Sequence, residues 1–117
     1  MEMTASTRLL DGVTIVDLSG RIVLGEGSAR LRVLVRNLLS EGNKRILLNL
    51  GDVNYIDSSG LGELVSAFTS VRSQGGELKL LNLTKRVRNL LQITKLYTVF
   101  DITDDEATSV KSFSPAI

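Results

Sequence analysis

The chain contains no cysteine, no histidine and no tryptophan, and Pro115 is its only proline. Without cysteine there is no disulfide framework, no thiol nucleophile and no thiolate metal site. Without histidine there is no Ser-His-Asp triad, no zinc site of the usual catalytic type, and no general base of the commonest kind near neutral pH. The five aromatic residues, Tyr55, Phe68, Tyr97, Phe100 and Phe113, make up 4% of the chain. That is thin for a stacking platform that binds single-stranded nucleic acid. Neither sign of charge dominates, since 14 basic and 13 acidic side chains leave +1. Net charge therefore predicts no polyanionic partner and no nucleic acid. Apolar runs such as Ile46–Leu48 fall far short of the roughly 20 residues of a membrane span. The polar segment Met1–Thr7 lacks the apolar core of a signal peptide. These absences predict a cytoplasmic protein with no cofactor, no metal and little capacity for catalysis.

What is present is ordinary globular material. Of the 117 residues, 43% are hydrophobic and 23% charged, which suits one domain over 1–117 with a core that needs no staples. Two β-type runs, Thr4–Leu10 and Val13–Ser19, flank Asp11-Gly12, a dipeptide suited to a two-residue hairpin turn. Gly20–Gly27 reads as a strand end or loop. From Ser28 the residues Leu31, Leu34, Val35, Leu38 and Leu39 recur at helical spacing, until Glu41-Gly42-Asn43 ends the helix. Arg45–Leu50 is nearly all apolar, as expected of a central strand covered on both faces.

A second helix is predicted over Ser59–Ser73, with an apolar stripe at Leu61, Leu64, Val65, Phe68 and Val71. Glu77–Leu81 is the next strand. Thr84 is placed to cap a third helix that buries Val87, Leu90, Leu91 and Thr94. Thr98–Ile102 reads as a last strand, and Thr103-Asp104-Asp105-Glu106 as a capping box opening a final helix to about Ser112. The order β-β-α-β-α-β-α-β-α implies an α/β fold with a mixed, largely parallel sheet flanked by about four helices.

The most informative segment is Asn54-Tyr55-Ile56-Asp57-Ser58-Ser59-Gly60-Leu61-Gly62, at the carboxyl end of the central strand, where open α/β folds place their sites. Asp57, Ser58 and Ser59 are all good helix caps, and plain capping accounts for one of them. A second serine is then spare, near the positive end of a helix dipole that tolerates phosphate charge. Gly60 and Gly62 cost helix stability in the first turn unless something approaches the backbone closely.

Ile56-Asp57-Ser58-Ser59-Gly60-Leu61-Gly62 resembles the phosphorylation loop of the bacterial anti-sigma factor antagonists, members of the STAS domain family. The hairpin opening, Gly20, Leu48-Asn49-Leu50 and Gly75-Gly76 extend the resemblance over nearly the whole chain. The resemblance implies a non-enzymatic, phosphorylation-switched interaction domain with Ser58 as acceptor, set beside Asp57, the cap Ser59 and Gly60. It implies that the unphosphorylated form binds an anti-sigma factor serine kinase and frees the sigma factor. A PP2C-type phosphatase would restore that form. Many close members carry an acidic residue three positions after the glycine that ends the second strand, in a loop facing the kinase. Here that place is Val23, following Arg21, which leaves open a partner outside the sigma circuit.

Ser58, Gly62, Ser66 and Thr69 follow one another at spacings of three or four, so they form one small-residue strip on the second helix. The strip, with Arg21 and Val23 of the preceding loop, is the expected partner face of a monomer or weak dimer. The competing reading is a phosphate- or nucleotide-binding module built on the same helix N-terminus. Glu63 and Leu64 stand where a phosphate loop adds its lysine. A Mg²⁺ site at Asp52, Asn54 and Asp57 would have oxygen donors but little else to recommend it. Ser58 as a nucleophile has Ile56 where a nucleophile elbow needs glycine. The basic residues Lys85, Arg86, Arg88 and Lys95 read as a solvated helix face. The acidic residues Asp101, Asp104, Asp105 and Glu106 read as complements to the last helix's dipole.

Overall fold

A computed structural model describes residues 2–114. Strands β1 (Thr4–Leu10) and β2 (Val13–Ile22) pair antiparallel, with Thr4 opposite Ser19 and Leu10 opposite Val13. Asp11 and Gly12 between them have φ of 50° and 79°, the two positive values that a tight hairpin turn demands. The chain continues through α1 (Glu26–Ser40), β3 (Arg45–Ile56), α2 (Ser58–Ser73), β4 (Glu77–Leu81) and α3 (Lys85–Ile93). A 3₁₀ turn at Leu96–Thr98, β5 (Ile102–Thr103) and α4 (Glu106–Lys111) follow. The sheet order is β1-β2-β3-β4-β5, with every pair after the first parallel.

Alternation along the strands builds two cores of unequal size. Val16, Leu18, Ile46, Leu48, Leu50, Leu78 and Leu80 join α1, α2 and α3 in the larger one. Val13, Ile15, Leu47 and Leu81 point the other way, where Val110 of α4 and Phe113 cover them. Leu48 and Leu64 are fully buried, and each such side chain contributes about 1.5–3 kcal/mol relative to exposure. For the site, the decisive pairing is Ile22 beside Ile56, both buried in the larger core. It ends β2 and β3 side by side, so the β2–α1 and β3–α2 loops leave the sheet as neighbours.

Several boundaries differ from the sequence reading. β2 runs through Gly20 to Ile22, α1 begins at Glu26 rather than Ser28, and β3 continues past Leu50 to Ile56. Pairing with neighbouring strands extends both strands through polar residues that their own pattern does not favour. Thr98–Ile102 is not a strand. Lys95 has φ 62°, which turns the chain so that Phe100 packs edge-on against Phe68 at 5.4 Å, and β5 forms only at Ile102–Thr103. The expected capping box also fails, because Asp105 is the cap of α4 and its carboxylate accepts from the Thr108 N–H. Glu106 instead receives two hydrogen bonds from Arg8 of β1. On α2 the buried set includes Glu63 and Ala67, while Val65 and Phe68 are half-buried. Thr84 does cap α3, but Leu90 is only partly buried and Thr94 is exposed.

Candidate functional site

Asp57 ties the two neighbouring loops together. Its backbone is extended (φ −100°, ψ −176°), which makes it the N-cap of α2. One carboxylate oxygen accepts from Gly60 N–H at 2.9 Å and the other from Leu24 N–H at 3.0 Å. Its own N–H donates to the Ile22 carbonyl at 3.3 Å. Backbone donors, Leu24 first and then Gly60, hold the Asp57 carboxyl below the usual carboxylate range, because they favour the charged form.

The cap is therefore Asp57, and the assignment of that role to Ser59 is corrected. The Ser59 hydroxyl lies 3.2 Å from that of Ser28, which donates to the Val23 carbonyl at 2.9 Å. Ser28 is almost wholly buried, so Ser59 links α2 to the start of α1. Asp57 takes the cap because its other carboxylate oxygen is anchored by Leu24 N–H, while Ser59 is engaged with Ser28. Ser58, the first residue of α2, is exposed, and its hydroxyl makes no hydrogen bond among the described residues. Of the three polar residues in a row, only Ser58 keeps a free side chain.

The two glycines of the motif serve different ends. A Cβ on Gly60 would lie 2.1 Å from the Ile22 carbonyl oxygen and 2.8 Å from the Ile56 side chain. The close approach expected there is thus internal, between α2 and the end of β2. A Cβ on Gly62 would meet nothing within 4 Å, so that position faces open solvent. Gly62, Ser66 and Thr69 are all exposed, as the strip predicts, although the Thr69 hydroxyl is bonded back to the Val65 carbonyl. Arg21, next to last in β2, is exposed, and Val23, on the loop that Asp57 holds, is half-buried. Residues 21, 23, 57, 58 and 62 thus gather on two adjoining segments, with 66 and 69 one and two turns further along α2.

Three contributors were not legible as site residues. Leu24 is 78% exposed and sits on the Asp57 tether. An apolar residue between Val23 and Gly25 in a loop was the available signal. Arg32 of α1 holds Glu63 of α2 in a two-pronged ion pair at 3.1 and 3.0 Å. Glu63 is almost buried while Arg32 is half-exposed. The pair lines a groove between the two helices together with Arg36, Ser66 and Ser70. Nothing in local sequence pairs positions 32 and 63.

Some members of the remaining charge clusters have ion-pair partners. Arg88 pairs with Asp104 at 3.1 Å, and Lys79 lies 3.7 Å from Asp101. Among the described residues, no helix is long and apolar enough to cross a membrane.

The fold and the loop pair define a mixed α/β module that presents a free serine at a helix N-terminus. The STAS domain model matches residues 4–109, and the chain belongs to the STAS domain family. The anti-sigma-B factor antagonist of Bacillus subtilis is 45% identical over 64 residues, which span 55% of this chain and 59% of that protein. A crystal structure from Thermotoga maritima matches with a TM-score of 0.86 at 26% identity, over 93% of both chains. The anti-sigma factor antagonist SpoIIAA in its unphosphorylated form matches at 0.70 and 15% identity, over 92% of this chain and 94% of its own. The phosphorylated form of SpoIIAA, from Bacillus, also matches at 0.70, with 17% identity over 92% and 97%.

Proposed function

We propose that this protein is a phosphorylation-switched anti-sigma factor antagonist with Ser58 as the acceptor. The free, exposed hydroxyl of Ser58 beside an aspartate already committed to capping carries this reading. In the unphosphorylated state the exposed side of α2, with the Arg21–Val23 segment, docks an anti-sigma factor serine kinase and frees its sigma factor. Phosphorylation adds about −1.5 to −2 charge at one end of that face. The N-terminus of α2 accommodates the charge, so the fold survives while the docked partner is repelled. A fold shared by phosphorylated and unphosphorylated SpoIIAA at the same TM-score supports a switch without refolding. A PP2C-type phosphatase reverses the modification, and the whole cycle runs in the cytoplasm. The chain itself turns over no substrate.

The test is intact mass and phosphopeptide mapping after incubation with ATP and the anti-sigma factor kinase encoded nearest to it. One phosphate on Ser58, absent from Ser58→Ala, is expected, and modification at Ser59 would overturn the assignment. For the docking face, Ser66→Arg should keep the melting temperature and lose kinase binding. Unchanged affinity in the folded variant would remove this side of α2 from the interface.

A further inference from the structure

A second feature lies at the same end of the sheet, formed by side chains that no motif connects. Arg21 is next to last in β2, Tyr55 is next to last in β3, and the two are register partners. Arg86 stands in the first turn of α3, which follows β4. The Arg21 guanidinium lies over the Tyr55 ring at 5.0 Å from its centroid, and that of Arg86 at 5.4 Å. Both arginines are exposed and the ring is half-buried. Among the described residues, neither guanidinium is within ion-pair distance of a carboxylate. Arg8, Arg30, Arg32, Arg88 and Lys79 all have such partners. Two unneutralised cations therefore share one aromatic platform on a protein of formal charge +1.

We propose that Arg21, Tyr55 and Arg86 form a docking surface for an acidic segment of a partner protein. Attraction between the ring's negative face and the cations offsets the repulsion of bringing two like charges together. It also restrains two long side chains in advance, so less rotamer freedom is lost when a partner arrives. A guanidinium held this way keeps its N–H fork free for a carboxylate, which it binds in two-pronged fashion. A protein segment suits the site better than a free ion. Both guanidiniums stand in water, where high dielectric and salt weaken their hold on a small anion. A docked chain removes that water and brings several carboxylates at once. Arginine and tyrosine are also the residue types on which interface energy concentrates. Tyr55 stands two residues before Asp57, so such a segment would lie next to Ser58 and extend the partner face across the sheet end.

The proposal deepens the docking function argued above and rests on it only in supposing that the protein works by binding a partner. The probe is a glutamate decapeptide titrated into isotope-labelled protein, with inorganic phosphate at matched ionic strength as the second arm. The peptide is expected to shift the side-chain N–H signals of Arg21 and Arg86 and the ring signals of Tyr55. The Arg21→Gln/Arg86→Gln variant, with unchanged melting temperature, should bind it about tenfold more weakly. Tyr55→Phe should retain binding and Tyr55→Leu should weaken it. Shifts confined to other basic residues, an equal response to phosphate, or undiminished affinity of the double variant for peptide or kinase would each overturn the proposal. The peptide arm requires no kinase and no phosphate on Ser58. It can therefore fail while Ser58 is phosphorylated, or succeed where no kinase acts.

Discussion

The amino ends of α2 and α4 are built alike and left in different states. Each is capped by an aspartate whose carboxylate accepts from an N–H three residues on. At α4 the surroundings are closed. Asp105 also accepts from the Thr108 hydroxyl at 2.5 Å, and Glu106 is gripped by Arg8, which binds Asp17 as well. At α2 the second carboxylate oxygen reaches across to Leu24 N–H, and the hydroxyl of Ser58 is left free. One helix start is a finished structural joint. The other uses the same cap to lock two loops while leaving a free hydroxyl exposed to solvent. Capping chemistry alone therefore does not distinguish the two termini; the polar side chain left over after capping does.

The largest effect is expected from the packing beneath the open terminus. Gly60→Ala should lower unfolding free energy by roughly 3 kcal/mol, since its Cβ meets a backbone carbonyl that cannot easily move. Gly62→Ala, two residues on and unopposed, should raise it by about 0.5–1 kcal/mol through helix propensity. Denaturant melts of the two variants check the sign of each. Equal effects would mean that α2 does not press on the end of β2.

Next in size is Asp57→Ala, which should lower the melting temperature and increase proteolysis at Leu24–Glu26, because one side chain serves both loops. Asp105→Ala should leave that loop's cleavage rate alone. The two termini should also respond differently to pH and salt. Asp57, Asp105, Asp17 and Glu106 all have carboxyls depressed below their ordinary values. A depressed folded-state value means stabilisation that is complete above the ordinary carboxylate range and is lost as pH falls through and below it. Backbone donors cause the shift at Asp57, whereas Arg8 is the leading cause at Asp17 and Glu106. High salt should therefore raise the titration midpoints of Asp17 and Glu106 and leave that of Asp57 nearly unchanged. Carboxyl NMR titration at low and high salt makes the comparison.

The serines give the smallest effects. Ser59→Ala should cost about 0.5–1.5 kcal/mol for its bond to buried Ser28. Ser58→Ala should change stability by less than about 0.5 kcal/mol. Thermal melts that reversed this order would reassign which serine is structural.

The sequence by itself determined the order of elements, the hairpin turn at Asp11-Gly12, and the loop around Ser58. Each of these depends on residues close in the chain, so spacing and turn chemistry carry them. Only the tertiary structure decided which polar residue caps α2. Asp57, Ser58 and Ser59 have similar local preferences, and the outcome depends on Leu24 N–H and the Ser28 hydroxyl, about 30 residues away in the chain. It also decided that Gly60 answers to Ile22 rather than to a ligand. In the same way it brought Arg32 to Glu63, Arg8 to Glu106, and Arg21 and Arg86 to one ring. It shortened the final strand because burying Phe100 against Phe68 outweighed the local preference for an extended chain. Contacts between residues distant in the chain are created by the sheet order and the strand register, and one-dimensional periodicity does not encode which distant side chains that register will set face to face.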